Sequence, residues 1–382
     1  MMVDRPIFMR WKMIEALADA AVPYGTTVVA MNRPLCPFST LFKKPDRVRE
    51  FFGKPQLQQL KNNLYLFSPR YFIHDSVAAG SRMLEKLNIA ALRRSYAHLC
   101  HRIGVSEENP LIWFYHPRQG YVTDLFTGSL SIFEIKDNFA DLDGKDVESV
   151  KIQEVKLRDK VDLLLCTSQK LFEKYSGGYG QAWLSGNGLE RNTYDRLLGT
   201  RQQPIAELAS IPSPRIGYTG LISQRLDWDL ILEIARRKPE WSLVFVGKVS
   251  DPSIRRITAS SINIYLPGWY DHEQMPAVLS SFDIGFMPYR DNNFFRYSNP
   301  LKFYEFAAAG LRIVSSNMEE LKRFPEELVK IVPNHANEWI NALQSFLDSD
   351  SEGARRIGAE VAGKFIWEDM TAELLKKLER EV

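Results

Sequence analysis

Short apolar runs alternate with amphipathic stretches along most of the chain, the pattern left by strands and helices in parallel α/β layers. In the first half, Thr27–Met31, Leu64–Phe67, Leu111–Tyr115, Ser131–Ile135 and Val161–Cys166 predict strands, each bounded by Gly, Pro, Asn or Asp. Trp11–Ala20, Ile89–Ile103 and Gln169–Tyr175 predict helices between them. Polar residues with Pro204, Pro212 and Pro214 then collect over Thr200–Pro214 and read as a linker. A second series follows, with strands at Arg215–Tyr218, Ser242–Val246, Ile262–Leu266, Ile284–Met287 and Arg312–Ser315. Its helices are Trp228–Arg237, Met275–Ser280, Leu301–Ala309 and Glu338–Leu347, and a last helix at Trp367–Arg380 closes the chain. A parallel first strand should precede the helix at Trp11, yet only Pro6–Met9 is available. That strand is either very short or missing.

At roughly 100–200 residues per domain, 382 residues predict two domains, 1–200 and 215–366. The helix at 367–382 is then placed to pack back on the first. A net charge of +2 argues against a polyanion binder as a whole, but charge is unevenly spread. Arg33 to Arg102 holds 13 Lys/Arg against 4 Asp/Glu, interleaved with Phe38, Phe42, Phe51, Phe52, Tyr65, Phe67, Tyr71 and Phe72. Without a recognised binding motif this does not make a nucleic-acid module, so no nucleic-acid partner is expected. Two accounts stay open: solvated charge around core aromatics, or peripheral contact with an anionic membrane. Cys36, Cys100 and Cys166 have no metal or redox spacing and suit a reducing compartment. With no signal-peptide pattern and no run of about 18 apolar residues, the reading is cytoplasmic, with the inner face of the plasma membrane as the site of any such contact.

The most informative segment is YRDNNFFRYSNPLKFYEFAAAG, Tyr289 to Gly310. Ser298 or Asn299 is placed to cap a helix whose first position is Pro300 and which stops at Gly310. A helix start just beyond a strand end attracts phosphate through free amides and the helix dipole. Lys302 in the first turn opposes that dipole, which an anion nearby would explain. Glu305 lies on roughly the same face, where a carboxylate can accept two ribose hydroxyls. The alternative is an exposed helix pair.

This segment resembles the nucleotide-sugar site of GT-B glycosyltransferases. It is most similar to bacterial enzymes of capsule, teichuronic-acid and exopolysaccharide assembly, whose NP-x-K-x-x-E-[YF]-x-A-x-G pattern stands here as Asn299, Pro300, Lys302, Glu305, Phe306, Ala308 and Gly310. Other pieces fall in the same order. GYTGLISQRLDW (Gly217–Trp228) resembles the strand-turn-helix opening the family's donor domain, with Gly220 for close backbone approach and Arg225 for the diphosphate. VFVGK supplies Lys248 as a second diphosphate candidate, and YLPGWYDHEQMP supplies Trp269 and Tyr270 as candidates for the base. The resemblance implies an α/β GT-B fold, two Rossmann-like domains facing a cleft. It implies a nucleotide-sugar donor (UDP-, GDP- or dTDP-linked), a glycan or lipid-linked acceptor, and neither metal nor cofactor. The chain departs from the pattern at Tyr297, where many retaining members have Glu, so an inverting transfer is favoured.

Inversion needs a base for the acceptor hydroxyl. WFYHPRQGY puts His116, Arg118 and Gln119 just after one strand; SIFEIKDNF puts Glu134, Lys136 and Asp137 at the end of the next. The second resembles a strand end in an inverting glucuronosyltransferase-like group whose aspartate base falls at Asp137. His116, before Pro117, is the competing base or a turn cap. LSGNGLE (Leu184–Glu190) resembles the family's NG-containing loop, with turn formation as its work. A catalytically inactive GT-B binding scaffold and a sugar-nucleotide epimerase are the other readings this fold allows.

Overall fold

The computed structural model describes residues 8–32, 57–69, 73, 81–126, 128–139, 141–142, 145–146, 148–198 and 204–381. The chain forms two compact units, Met1–Ser185 with Trp367–Val382, and Gly186–Ile366. The division therefore falls upstream of the polar, proline-rich stretch read as a linker.

In the first unit, α1 (Phe8–Ala21) precedes β1 (Val28–Met31). Phe8 and Met9 are thus helical, and Pro6 and Ile7 of the expected first strand lie outside the described residues. β2 (Leu57–Lys61) and β3 (Leu64–Phe67) form a hairpin in which β2 runs antiparallel, while β1 pairs parallel to β3. Sequence periodicity missed β2 because it is a largely exposed strand on a sheet edge, with no buried face to leave a pattern. The long α2 (Arg82–Ile103) leads to β4 (Ile112–Phe114), β5 (Ser131–Ile135), α3 (Glu148–Leu157), β6 (Leu163–Cys166), α4 (Gln169–Tyr175) and β7 (Ala182–Leu184). β4-β5-β6-β7 is a separate, wholly parallel sheet. The described strands of this unit thus lie in three sheets, the third a short antiparallel hairpin of Asp141–Leu142 with Lys145–Asp146. β5 and β6 are buried on both faces, as a parallel sheet covered by helices requires.

The second unit opens with α5 (Arg191–Leu198), β8 (Arg215–Thr219), α6 (Trp228–Arg237), β9 (Ser242–Val246), α7 (Pro252–Thr258), β10 (Ile264–Gly268) and α8 (Met275–Leu279). It continues with β11 (Ile284–Met287), α9 (Asn293–Arg296), α10 (Leu301–Ala308), β12 (Arg312–Ser315), β13 (Val329–Ile331), α11 (Ala336–Leu347) and α12 (Glu352–Gly363). The six strands pair in parallel in the order β10-β9-β8-β11-β12-β13. Counted along the chain this is 3-2-1-4-5-6, the doubly wound order whose ligand crevice lies beyond the carboxyl ends of strands one and four. α6 shows how sequence sets the helices: the Asp227 carboxylate accepts the Leu230 amide at 3.2 Å, and Trp228, Leu230, Ile231, Ile234 and Ala235 bury one face. Two arginines end it.

The last helix, α13 (Trp367–Glu381), belongs to the first unit. Leu378 joins Ile132, Leu163 and Leu165 in one core, and Lys377 lies 4.0 Å over the Trp183 ring.

Candidate functional site

The carboxyl ends of three neighbouring strands each run into a glycine of positive φ: Gly220 (+126°) after β8, Gly247 (+152°) after β9 and Gly268 (+105°) ending β10. Two need to be glycine for space as well. A side chain on Gly247 would meet the Gly220 carbonyl, and one on Gly220 would meet Lys302. The result is a bare backbone rim, tied by Gly220 N–H to Val246 O (2.9 Å) and Gly247 N–H to Gly268 O (2.7 Å). Only Gly220 was singled out from sequence. The signal for the others was there, since GYTG, VFVG and YLPG each close an apolar run with glycine.

α10 begins opposite this rim, and here the expected cap is corrected. Pro300 is itself the cap residue (φ −81°, ψ 121°), Leu301 is the first helical position, and no side chain caps the helix. The Ser298 hydroxyl instead donates to Phe294 O at 2.9 Å. Asn299, buried, accepts the Tyr304 hydroxyl at 3.1 Å through Oδ1, and its carbonyl accepts Asn187 Nδ2 at 3.0 Å. These partners claim both candidate caps, so the first amides of α10 are not met by a cap. The other end follows the expectation: Gly310 N–H reaches Ala307 O and Leu311 N–H reaches Phe306 O, both at 2.9 Å, around a left-handed Gly310.

Lys302 and Glu305 are not an exposed pair. Lys302 Nζ lies 4.9 Å from the Tyr218 ring centroid and 5.9 Å from that of Tyr289. Burial opposes its charge, but the oxygens of Tyr218 and Tyr289 and the Glu305 carboxylate outweigh this and hold the ammonium above the ordinary lysine value. Glu305 moves up for the opposite balance, since burial exceeds the pull of Lys302. A half-buried cation and a half-buried carboxylate at the switch point of a doubly wound sheet are costly to keep unless a ligand uses them.

The remaining candidates divide. Lys248 and Trp269 come together at the surface, Nζ 4.6 Å over the indole, with Trp269 57% exposed. Tyr270 turns its hydroxyl to Glu207 at 2.7 Å; burial and that bond push the phenol up to about 12. Arg225 is exposed, its guanidinium 5.0 Å over Phe294.

In the first unit, His116 and Asp137 follow the adjacent parallel strands β4 and β5. His116 caps the 3₁₀ segment Pro117–Leu125: Nδ1 accepts the Arg118 amide at 3.1 Å, and Gln119 Oε1 accepts the His116 amide. Its ring packs 4.7 Å from Phe139, whose amide bonds to the Asp137 carbonyl. Lys136 pairs with buried Glu134 at 3.1 Å, which also accepts Trp113 Nε1 at 2.9 Å.

Residues 213–349 match the family described as glycosyl transferases group 1. The proposed teichuronic acid biosynthesis glycosyltransferase TuaH of Bacillus subtilis is 23% identical over 288 residues, 70% of this chain and 72% of TuaH. Among solved structures, sucrose-phosphate synthase of Thermosynechococcus elongatus superposes with a TM-score of 0.69 at 18% identity, covering 96% of this chain and 91% of that one. Anabaena Alr3699/HepE in complex with UDP-glucose gives 0.67 at 12% identity, covering 100% and 98%. These likenesses span both units and show the fold.

Proposed function

We propose that this chain, a glycosyltransferase of the GT-B fold, moves a sugar from a nucleoside-diphosphate donor held by its second unit to a glycan or lipid-linked acceptor in cell-surface polysaccharide synthesis. One observation carries the donor side: the Lys302 ammonium stands against the Gly220 backbone at the crevice between β8 and β11. There a diphosphate meets Lys302, the uncapped amides of α10 and, from the rim, Arg225. These groups neutralise the leaving diphosphate as its charge develops, which is the electrostatic work of the transfer. Glu305 accepts the ribose hydroxyls. Trp269, with Lys248 over it, offers a face to the base, and Tyr270 contributes its ring, the hydroxyl being engaged by Glu207. The HepE complex with UDP-glucose supports a UDP-sugar as the first donor to try, with GDP- and dTDP-sugars after it. The likeness to TuaH supports the polysaccharide setting.

On the acceptor side, Asp137 takes the hydroxyl proton in an inverting attack. The absence of Glu at Tyr297 supports inversion, and the cap that occupies His116 Nδ1 supports Asp137 over His116. Among the described residues no helix is long and apolar enough to cross a membrane. The basic, aromatic stretch Arg33–Arg102 supports peripheral contact with anionic lipid at the inner face as the route to a lipid-linked acceptor.

The test is donor hydrolysis and transfer with UDP-glucose, UDP-galactose, UDP-N-acetylglucosamine, UDP-glucuronate and their GDP and dTDP counterparts. Turnover of one of them, lowered about 10²–10⁴-fold with Asp137→Asn, is expected. Tight nucleotide binding without turnover of any donor would leave a binding scaffold instead.

A further inference from the structure

Between Lys302 and Arg225 the rings form an unbroken series. Tyr218 meets Tyr289 edge-on with centroids 6.2 Å apart, Tyr289 stacks on Phe295 at 4.3 Å, and Phe295 meets Phe294 edge-on at 5.2 Å. Lys302 sits over the inner end, at Tyr218 and Tyr289, and Arg225 over the outer end, at Phe294. The backbone locks the same parts. Arg290 N–H donates to Arg225 O at 2.9 Å, Asp227 N–H to Pro288 O at 2.8 Å, and Leu226 bridges Tyr289. The Tyr289 carbonyl accepts both Ser316 Oγ at 2.6 Å and Asn334 Nδ2 at 2.8 Å. The loop after β8 and the loop after β11 are therefore stitched together, and the rings, all buried, pack beneath them.

Rings at these separations attract one another in offset or edge-on geometry, and a ring face attracts a cation within about 6 Å. Flexible Lys and Arg side chains otherwise lose rotamer freedom when a ligand fixes them, which weakens binding. We infer that Tyr218, Tyr289, Phe295 and Phe294 are positioning residues that hold Lys302 and Arg225 as a preset two-point clamp for the donor's diphosphate. This rests on the donor-site reading above and extends it: the selectivity of the site for a diphosphate over a nucleoside resides partly in an aromatic wall that itself carries no charge.

Two pairs of variants test it. Tyr289→Leu and Phe294→Leu remove a ring face under a cation; Phe294→Tyr and Phe294→Trp keep one. By calorimetry the leucine variants are expected to raise the Kd for UDP about 3- to 30-fold, while the ring-retaining variants stay within about twofold of wild type. Uridine binding, followed by ligand-observed NMR, is expected to be unchanged in all four, because the clamp engages only the diphosphate. In turnover the leucine variants should raise KM more than they lower kcat. Equal loss of UDP and uridine binding would show a collapsed pocket and overturn the clamp, as would leucine variants with wild-type UDP affinity. Wild-type protein that binds none of UDP, GDP and dTDP overturns the donor-site reading and the clamp together.

Discussion

The Lys302 ammonium occupies the space that a side chain on Gly220 would need, so that a methyl group there would lie 2.6 Å from Nζ and 2.7 Å from Cε. Gly220→Ala is therefore expected to do two things. It places an L side chain at φ +126°, a strain of about 1–3 kcal/mol, and it displaces the cation from the rim. Nucleotide affinity should fall at least about tenfold by calorimetry. Gly25→Ala provides the control, since φ is +61° but nothing lies within 4 Å. That variant should lose melting temperature and keep nucleotide affinity.

Glu305 links stability to pH with a sign opposite to that of an ion-paired carboxylate. Burial raises its pKa in the folded protein, so on raising pH the unfolded chain gives up this proton first. Its contribution to stability is then lost as pH rises from the ordinary carboxylate value through the raised one. Glu305→Gln should melt higher than wild type at pH 7, and the gain should vanish in acid. Glu305→Ala should weaken nucleotide binding by about 1.5–3 kcal/mol, as loss of a charged hydrogen bond does. Unaltered affinity with an intact circular dichroism spectrum removes Glu305 from the site.

Asp137 and His116 separate cleanly by substitution. Asp137→Asn keeps the shape and removes the basicity, so turnover should drop about 10²–10⁴-fold with nucleotide affinity near wild type. His116→Ala should cost about 0.5–2 kcal/mol of stability through the lost cap, and His116→Asn, which can still accept the Arg118 amide, should recover most of it with activity. The assignment is wrong if Asp137→Asn stays active while His116→Asn does not. A product that keeps the donor's anomeric configuration also counts against it.

Anionic vesicles test the membrane contact. Lys43, Lys44, Arg47 and Arg49 lie outside the described residues, but their charge is fixed by sequence. Neutralising all four should reduce co-sedimentation with vesicles rich in anionic lipid, and rising salt should do the same. Wild-type protein that ignores such vesicles at low salt ends the proposal.

The elements easiest to read from sequence were those buried on two faces or along one stripe. Ser242–Val246, Ile284–Met287 and Trp228–Arg237 form with the bounds their apolar pattern predicts. What escaped was short, exposed or amphipathic without an apolar majority. Leu57–Lys61 is an edge strand with little to bury, and Arg191–Leu198 is a mostly polar helix. At the site, sequence named Lys302 and Glu305 but not their setting. Tyr218 stood only as a strand end and Tyr289 only as the start of the quoted segment, because periodicity reports burial and not what lies above a ring. The cap at Ser298 or Asn299 failed for a related reason. A cap forms only if no other group claims the side chain, and within the same segment the Tyr304 hydroxyl donates to Asn299 Oδ1 while the Ser298 hydroxyl donates to the Phe294 carbonyl.

The placement of α13 reverses the order in which the two units can finish folding on the ribosome. The second unit is a guest within the chain of the first, and its two ends leave it side by side, with Leu189 bridging Ile366 and its amide bound to Phe365 O at 2.8 Å. Everything that unit needs has been synthesised by Ile366. The first unit emerges earlier but cannot seal the core around Ile132, Leu163 and Leu165 until Leu374, Leu375 and Leu378 arrive. A nascent chain therefore carries an unfinished first unit while the second, later in the sequence, has all it needs to close, and the part made first is the last to become native.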